Sequence, residues 1–392
     1  MKNPVTFDID TYSQIPAIYP AHDHQRPGVK SLYFENDKYF GKETRVFAWL
    51  GMPYLKEDES CPAMVLVSGG GSTALDEWVR VWNGRGYAAI ALDICGCKPE
   101  IPIPQQGGLP KKKHDFPGPS GWQASYAQMN EKTENHWQYH AITALLRAHT
   151  IISNTKGVDP KRVGITGMSW GGIITCLMMG IDSRYAAGIP VYGCGFLSEI
   201  SWGQGYKQYD DAKPEDIRKW HKYWDPMHYL PNTKIPTLWV TGTNDGFSLD
   251  IFKKSYSLTS DPTISIIFEM PHGIQCAWAP KEIHHFTDSI FRGGAPLPKH
   301  IKTHIENGKI ISLFQSARPL MKAEILYTRA LGMWVDRKWR KISVLPEEID
   351  NVYKIITELP VGVTAAFVNA WDDRDVFVSS PHLEVINGIA KP

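Results

Sequence analysis

The fold of this chain is constrained above all by a regular alternation of short apolar runs with amphipathic segments. The apolar runs are four to six residues long and rich in Val, Ile, Leu and Ala. Runs of this kind are typical of parallel strands that are buried on both faces by connecting helices. We therefore predict an α/β fold with a mostly parallel sheet flanked by helices. Its predicted strands are 63–67, 87–92, 163–166, 187–191, 237–241 and 264–269, preceded by antiparallel edge strands near 30–34 and 44–50.

Four segments between these runs have the spacing of amphipathic helices. The first ends before Gly84, and the last follows Ser248, a residue type that is common at the N-cap of a helix. The predicted helices are 74–83, 134–153, 170–179 and 249–258.

The pattern changes after Gly294, which indicates a second domain. From Ile301 to Ile386 short alternating runs are separated by Gly, Pro, Asp and Asn, with no long helical stretch. This spacing is typical of a small β-sandwich, and 392 residues are many for a single domain. We predict an α/β domain with an N-terminal extension over residues 1–296. A small all-β, sandwich-like domain with a structural or interaction role is predicted over residues 297–392.

The segment 96–130 is dense in Pro and Gly and has neither a helical nor a strand period. A loop of this length inside a compact domain is usually functional or disordered. Two interpretations stay open, a solvated surface excursion and a lid over an active site.

Charge and composition exclude some classes of partner. Lys and Arg number 42 against 41 Asp and Glu, so no charge excess favours nucleic acid or an anionic membrane. No 18 apolar residues run without a charge, and the first residues lack the apolar core of a signal peptide. We expect a soluble, cytoplasmic protein, or a periplasmic or secreted one if a leader was removed, with a neutral substrate. No residue pattern decides its oligomeric state.

The cysteines predict neither a disulfide framework nor a metal site. Several lie inside apolar runs, where a thiol usually behaves as a small buried hydrophobe. One pair has the spacing C-x-C, but no second pair follows it, which argues against metal binding. The six are Cys61, Cys95, Cys97, Cys176, Cys194 and Cys276.

The stretch GMSWGG carries the strongest chemical signal. Ser169 lies in a G-x-S-x-G motif between a predicted strand and a predicted helix, the arrangement called a nucleophile elbow. The tight turn requires small residues two positions before and after the serine, and Gly167 and Gly171 meet that need. The turn lifts the hydroxyl above the sheet and directs the helix N-terminus at the reacting centre. We therefore predict that Ser169 is a nucleophile.

A serine nucleophile needs a base and an orienting carboxylate, which follow an elbow of this type in the order Asp, His. Asp245 comes after the strand 237–241 and His272 after the strand 264–269, so both are expected at the edge of the sheet where Ser169 emerges. Asp245 is alternatively a turn former in TNDG. Rivals for the two roles are Asp93, which we expect to cap a turn, and His284 and His285 within a predicted helix.

An oxyanion also needs backbone donors. We predict that one is the N–H of Trp170 and that others come from Gly70 and Gly71, which follow the strand 63–67 in Ser68-Gly-Gly-Gly-Ser72. The rival interpretation is a phosphate-binding loop, but G-x-G-x-x-G is absent and no Walker lysine follows.

These motifs give the chain a resemblance to the α/β-hydrolase superfamily, and more narrowly to its dienelactone-hydrolase, acetyl xylan esterase and prolyl-oligopeptidase-like branch. The resemblance covers roughly residues 29–292 and implies that Ser169 is the nucleophile, Asp245 the acid and His272 the base. Bacterial relatives of this kind are commonly labelled esterases of acylated carbohydrates. The stretches that carry the resemblance are GMSWGG, DSRYAAGIPVYGCGFL, WVTGTNDGF and MPHGIQCAWAPKEI.

The leading hypothesis is a serine hydrolase of carboxylic esters, with an O-acetylated carbohydrate or another small ester as substrate. This chemistry requires no metal ion or organic cofactor. Trp170, Trp202 and Trp278 lie in or near the predicted site loops, where indole faces stack on sugar rings, although Trp is also a common core residue. Two alternatives are a peptidase or amidase with the same triad and a non-catalytic binding protein on the same fold.

Overall fold

The computed structural model describes residues 2–70, 72–99, 112–119, 121, 125–200, 212–350, 352–386 and 389–391. The chain forms two compact units. The first unit consists of Met1–Ser198, Gly203–Pro236 and Leu258–Ser260, and the second of Glu199–Trp202, Thr237–Ser257 and Asp261–Pro392. Within the described ranges, no helix combines the length and the apolar character needed to cross a membrane.

Among its described residues, the first unit contains seven strands in the order β1-β2-β3-β5-β4-β6-β7. The pairs β1–β2, β2–β3 and β3–β5 are antiparallel, and the pairs β5–β4, β4–β6 and β6–β7 are parallel. The predicted antiparallel edge and the predicted parallel run are therefore both confirmed. The strands are β1 (Ile18–Pro20), β2 (Lys30–Tyr39), β3 (Lys42–Gly51), β4 (Cys61–Val67), β5 (Ala88–Leu92), β6 (Val158–Met168) and β7 (Ala187–Val191).

The register of the parallel strands brings their carboxyl ends to one edge of this sheet. Val67 at the end of β4 pairs with Leu92 on β5 and with Gly167 on β6. Every residue of β4 and β5 is buried, because both faces of these strands are covered. The loops that follow β4, β5 and β6 therefore begin at the same edge.

Four described helices belong to the first unit. The helix that follows the elbow is buried over ten of its twelve residues, which explains its nearly uninterrupted apolar sequence. The long second helix starts three residues later than predicted, because 133–135 form a separate 3₁₀ turn and His136 is extended. The helices are α1 (Asp76–Asn83), α2 (Trp137–Ser153), α3 (Trp170–Ile181) and α4 (Pro214–Trp224).

The second unit begins with two parallel strands, β8 (Leu238–Gly242) and β9 (Thr263–Ile267). Helix α5 (Leu249–Tyr256) connects them; Ser248 occupies its N-cap position as predicted, but the hydroxyl makes no capping bond. It donates to Asp250 Oδ1 at 2.5 Å instead. Helices α6 (Ile274–Trp278) and α7 (Lys281–Phe291) follow β9.

The C-terminal strands of the second unit form two antiparallel sheets, as their alternating sequence predicts. The first has the order β10-β11-β15-β14, and the second has the order β13-β12-β16-β18-β19, with β17 paired to β16. The boundary at residues 296 and 297 stays a prediction. The strands are β10 (Lys299–Glu306), β11 (Lys309–Gln315), β12 (Leu320–Thr328), β13 (Trp339–Val344), β14 (Glu347–Ile349), β15 (Val352–Glu358), β16 (Ala365–Asp372), β17 (Phe377–Ser379), β18 (Leu383–Ile386) and β19 (Ile389–Lys391).

The proposed lid segment is anchored at its base. The N–H of Lys98 donates to the carbonyl of Lys112 at 2.8 Å, and the N–H of His114 donates to the carbonyl of Gly96. Residues 100–111, 120 and 122–124 lie outside the described ranges. A lid function of this segment stays a prediction.

Candidate active site

Ser169 has the strained backbone of a nucleophile elbow. Its φ of 56° and ψ of −122° lie outside the regions that residues with a side chain ordinarily adopt. Its N–H donates to the carbonyl of Val191 at 3.0 Å, and its carbonyl accepts the N–H of Ile173 inside α3 at 3.0 Å. These two bonds hold the turn between the end of β6 and the start of α3, so the strain is maintained by the surrounding sheet.

The flanking glycines are required by close backbone approaches. A Cβ on Gly171 would lie 2.1 Å from the carbonyl oxygen of Val67, and a Cβ on Gly167 would lie 2.2 Å from the carbonyl oxygen of Gly171. Neither position has room for a methyl group. Gly172 belongs to the same packing, since its Cβ would lie 2.8 Å from the carbonyl oxygen of Val191. The glycines of the motif therefore lie where the strand and helix backbones are in contact.

The glycine-rich loop after β4 reaches Ser169. A Cβ on Gly69 would lie 3.3 Å from Cβ of Ser169, which places the backbone of this loop beside the serine. Gly70 is buried in the same loop, whereas Gly71 lies outside the described residues. The N–H of Trp170 is at the first position of α3, where helical N–H groups have no partner within the helix. These backbone groups are of the kind that stabilises an oxyanion.

The side chains behind the elbow are part of the core. The indole of Trp170 is 8% exposed and packs edge-on against Trp137 and Trp220, with ring centroids 5.8 and 6.0 Å away. Its ring is therefore a packing group rather than a surface for stacking on a sugar. Burial raises the pKa of the Cys176 thiol on α3 well above its usual value, so this cysteine stays protonated.

Asp245 and His272 form a hydrogen-bonded pair in the second unit. Nδ1 of His272 lies 2.7 Å from Oδ2 of Asp245, and Oδ1 of Asp245 accepts the N–H of Phe247 at 2.9 Å. The Asp245 side chain is 1% exposed, while that of His272 is 26% exposed. Because a carboxylate only accepts hydrogen bonds, Nδ1 of His272 is the donor in this contact. The pair has the arrangement of an acid that orients a general base.

The loop of the predicted acid, Asp245, and the loop of the predicted base, His272, are packed directly against each other. A Cβ on Gly242 would lie 2.7 Å from the carbonyl oxygen of Met270, so only glycine permits this approach. The N–H of Thr243 donates to the carbonyl of Ile267 at 3.0 Å, and its hydroxyl accepts the N–H of Glu269 at 2.9 Å. Parallel pairing of β8 with β9 therefore continues into the loops that carry the two side chains.

Of the rival residues, Asp93 has another structural role, and the two histidines lie in a helix. Asp93 caps a turn, as expected, because its Oδ1 accepts the N–H groups of Cys95 and Cys97 at 2.9 and 2.8 Å. His284 is buried and His285 half-buried in α7. Five of the six cysteines are buried.

The two remaining tryptophans of the prediction are Trp278 and Trp202. Trp278 is half-buried at the end of α6, and Trp202 lies outside the described residues. Among the residues with described positions, no group of three or more His, Cys, Asp or Glu side chains is placed to hold a metal ion.

Sequence reasoning missed the groups that support the pair. Thr243 and Asn244 both take part in hydrogen bonds around Asp245, and Asn244 reaches residues more than 90 positions away. The only local signal was the polarity of TGTND after a buried strand, which also fits an ordinary turn.

The chain is similar to one sequence family and, in its fold, to several solved structures. The sequence model of the family described as "Acetyl xylan esterase (AXE1)" matches residues 17–241, which is more than half of the chain. An acetyl xylan esterase from Paenibacillus sp. R4 has a TM-score of 0.54 and 18% identity, covering 72% of this chain and 92% of that chain. A puromycin-hydrolyzing peptidase from Mycobacterium tuberculosis has a TM-score of 0.50 and 15% identity, covering 70% and 42%. No curated protein matches significantly. At these identities the solved structures confirm the predicted α/β-hydrolase fold.

Proposed function

The chain belongs to the acetyl xylan esterase (AXE1) family of carboxylic ester hydrolases, and we propose that it removes acetyl groups from a carbohydrate with Ser169, His272 and Asp245 as its triad. The observation that carries the proposal is the backbone of Ser169, which is held at a positive φ between β6 and α3. Strain of this kind persists only where surrounding structure imposes it, and it is concentrated at functional sites.

The first half of the reaction forms an acyl-enzyme. Oγ of Ser169 attacks the ester carbonyl and transfers its proton to Nε2 of His272, while Asp245 holds the imidazole through Nδ1 and stabilises the imidazolium. The developing oxyanion accepts the N–H of Trp170 and N–H groups of the loop at Gly70 and Gly71. The carbon–oxygen bond to the sugar then breaks, and the imidazolium protonates the departing alkoxide.

The second half releases acetate. A water molecule gives its proton to Nε2 of His272 and attacks the acetyl carbon, and a second tetrahedral intermediate collapses to acetate and the regenerated Ser169 hydroxyl. Support for His272 as the base is its 2.7 Å contact with Asp245 and its partial exposure, since a base must be both oriented and reachable. Trp278, half-buried at the end of α6, is our proposed stacking surface for the sugar.

Steady-state hydrolysis of p-nitrophenyl acetate and p-nitrophenyl butyrate tests the triad. We expect Ser169→Ala and His272→Ala to lower kcat at least about 10³-fold, because triad members act as one unit. The matched control is His285→Gln, which changes a half-buried histidine in α7 and should keep kcat within about twofold. A wild-type chain without Ser169-dependent hydrolysis contradicts the proposal. A loss of kcat in His285→Gln instead of His272→Ala means that His272 is not the base.

The substrate class requires a separate comparison. Release of acetate from acetylated xylo-oligosaccharides is measured beside cleavage of a peptide p-nitroanilide, with covalent labelling of Ser169 by a fluorophosphonate as a count of active serines. Acetate release by the unlabelled enzyme that is lost once Ser169 is labelled supports the carbohydrate ester. Faster cleavage of the anilide by the same serine overturns the substrate proposal while leaving the triad in place.

A further inference from the structure

Asn244, the residue before the proposed catalytic acid, is anchored to the C-terminal part of the second unit. Its Nδ2 donates to the carbonyl of Val335 at 2.9 Å and to the carbonyl of Arg337 at 2.7 Å. Its Oδ1 accepts the hydroxyl of Thr243 at 2.9 Å. Both amide hydrogens and the amide oxygen are therefore engaged, which fixes the rotamer of Asn244 and the backbone that leads into Asp245.

The segment that supplies the two carbonyls is itself held firmly. Nε and Nη2 of Arg337 donate to the carbonyl of Gly332 at 3.2 and 3.1 Å, and the guanidinium lies 3.6 Å from the ring centroid of Trp334. Trp334 is buried and contacts His382 edge-on at 4.9 Å. This closed turn between β12 and β13, residues 332–337, is a rigid acceptor rather than a loose surface loop.

Strands β16 and β17 of the C-terminal part also hold β9, the strand that leads to His272. The N–H of Ile266 donates to Oγ of Ser379 at 2.7 Å, and the carbonyl of Ile266 accepts Nδ2 of Asn369 at 3.0 Å. Ser379 in turn donates to Oδ1 of Asn369 at 2.6 Å. The acid and the base thus each emerge from backbone that is fixed by hydrogen bonds to the C-terminal sheets.

We propose that Asn244 is a positioning residue that ties the acid loop to the turn 332–337, so that the C-terminal sheets set the geometry of the Asp245–His272 pair. This inference rests on the proposed function, since it assigns a catalytic consequence to contacts around that pair. A displacement of about 1 Å at a catalytic group lowers the rate about 10²-fold. Asn244 acts through Asp245 and does not touch the ester.

The test is steady-state hydrolysis of p-nitrophenyl acetate by the full chain carrying Asn244→Ala. We expect kcat to fall about 10²-fold with KM within about twofold of the wild type, because orientation of the base is lost while the substrate pocket is kept. Asn244→Asp keeps the acceptor for Thr243 but places an oxygen against the two carbonyls, and it should be as impaired as the alanine variant. Arg337→Met leaves Asn244 intact and loosens the turn from the other side, with an expected fall in kcat of about threefold to tenfold.

The matched control is Asn83→Ala. It removes an equivalent bond, from Nδ2 of Asn83 to the carbonyl of Tyr87 at 2.9 Å, in the first unit. We expect kcat within about twofold of the wild type for this variant. Unchanged kcat in Asn244→Ala or in Arg337→Met, or an equal fall in Asn83→Ala, overturns the inference. Absence of Ser169-dependent hydrolysis in the wild type overturns the proposed function instead, so the two failures are told apart.

Discussion

Replacement of Gly171 by alanine tests whether the elbow depends on direct backbone contact. The added Cβ would lie 2.1 Å from the carbonyl oxygen of Val67, 2.6 Å from that of Ser68 and 2.7 Å from the carbonyl carbon of Val67. All three neighbours are backbone atoms of the strand end and the loop that we propose as the oxyanion site. No side-chain rotation relieves the clash, so α3 must move away from β4.

The size of that movement follows from the distances. Ordinary contact begins near 3.4 Å, and 3.4 minus 2.1 leaves a separation of about 1.3 Å to be made up. Overpacking of a core contact costs about 1–3 kcal/mol of unfolding free energy. A shift of about 1 Å at a nucleophile lowers kcat/KM about 10²-fold.

The assay measures kcat/KM with p-nitrophenyl acetate together with urea unfolding of the same samples. The control is Gly84→Ala, where φ is −62° and the nearest neighbour of the new Cβ is 3.4 Å away. We expect this variant to keep its activity and to be as stable as the wild type or more so. Retention of kcat/KM within about threefold in Gly171→Ala would refute the argument that close backbone contact builds the elbow.

Three further predictions concern acid stability, a part-buried ion pair and the substrate. Burial lowers the pKa of His140 and His149 to about 4, so both stay neutral in the folded chain at pH 5 while the unfolded chain binds protons below 6.5. The free energy of unfolding should have its full value above pH 6.5 and should be lower by about 2 kcal/mol per histidine at pH 5. His149→Gln should therefore reduce the difference between the unfolding free energies measured with urea at pH 7 and at pH 5. Asp182→Ala leaves the guanidinium of Arg184 without its 2.7 Å partner and should cost about 3 kcal/mol in urea unfolding, whereas a loss below about 1 kcal/mol contradicts a structural pair. Trp278→Ala should raise KM for acetylated xylo-oligosaccharides about tenfold and leave KM for p-nitrophenyl acetate unchanged; an equal rise for both esters argues against sugar stacking.

The elbow was predictable because its requirements are local. A positive φ at the serine and contact between strand and helix backbones impose glycine at positions 167 and 171, so the constraint is recorded within five consecutive residues. The pairing of Asp245 with His272 was predictable for a related reason. Each follows a buried run, and parallel strands end at the same edge, so the order of strands along the chain places the loops together.

Element boundaries were less predictable where packing overrides periodicity. Strand β6 begins at Val158, five residues before the apolar run, and this start was not predicted because Asp159-Pro160-Lys161 carries no strand pattern. Cys61 pairs with Val158 and Ala63 pairs with Val163, and the register shifts between them, so residues 159–162 form an irregularity within the strand.

The support of the proposed catalytic pair was not predictable, because it depends on contacts between distant positions. Asn244 and the carbonyls it binds are separated by 91 and 93 residues. The sequence does not show which backbone carbonyl a side chain binds. The family match ends at residue 241, before Asp245, so the acid loop, the base loop and the C-terminal sheets all lie beyond it. An acid and a base can be identified in the sequence because each follows a strand. Their orientation depends on neighbouring residues that hold their loops. In this chain those neighbours come from the C-terminal strands, and the strands that carry no catalytic side chain are therefore the ones on which the geometry of the proposed base depends.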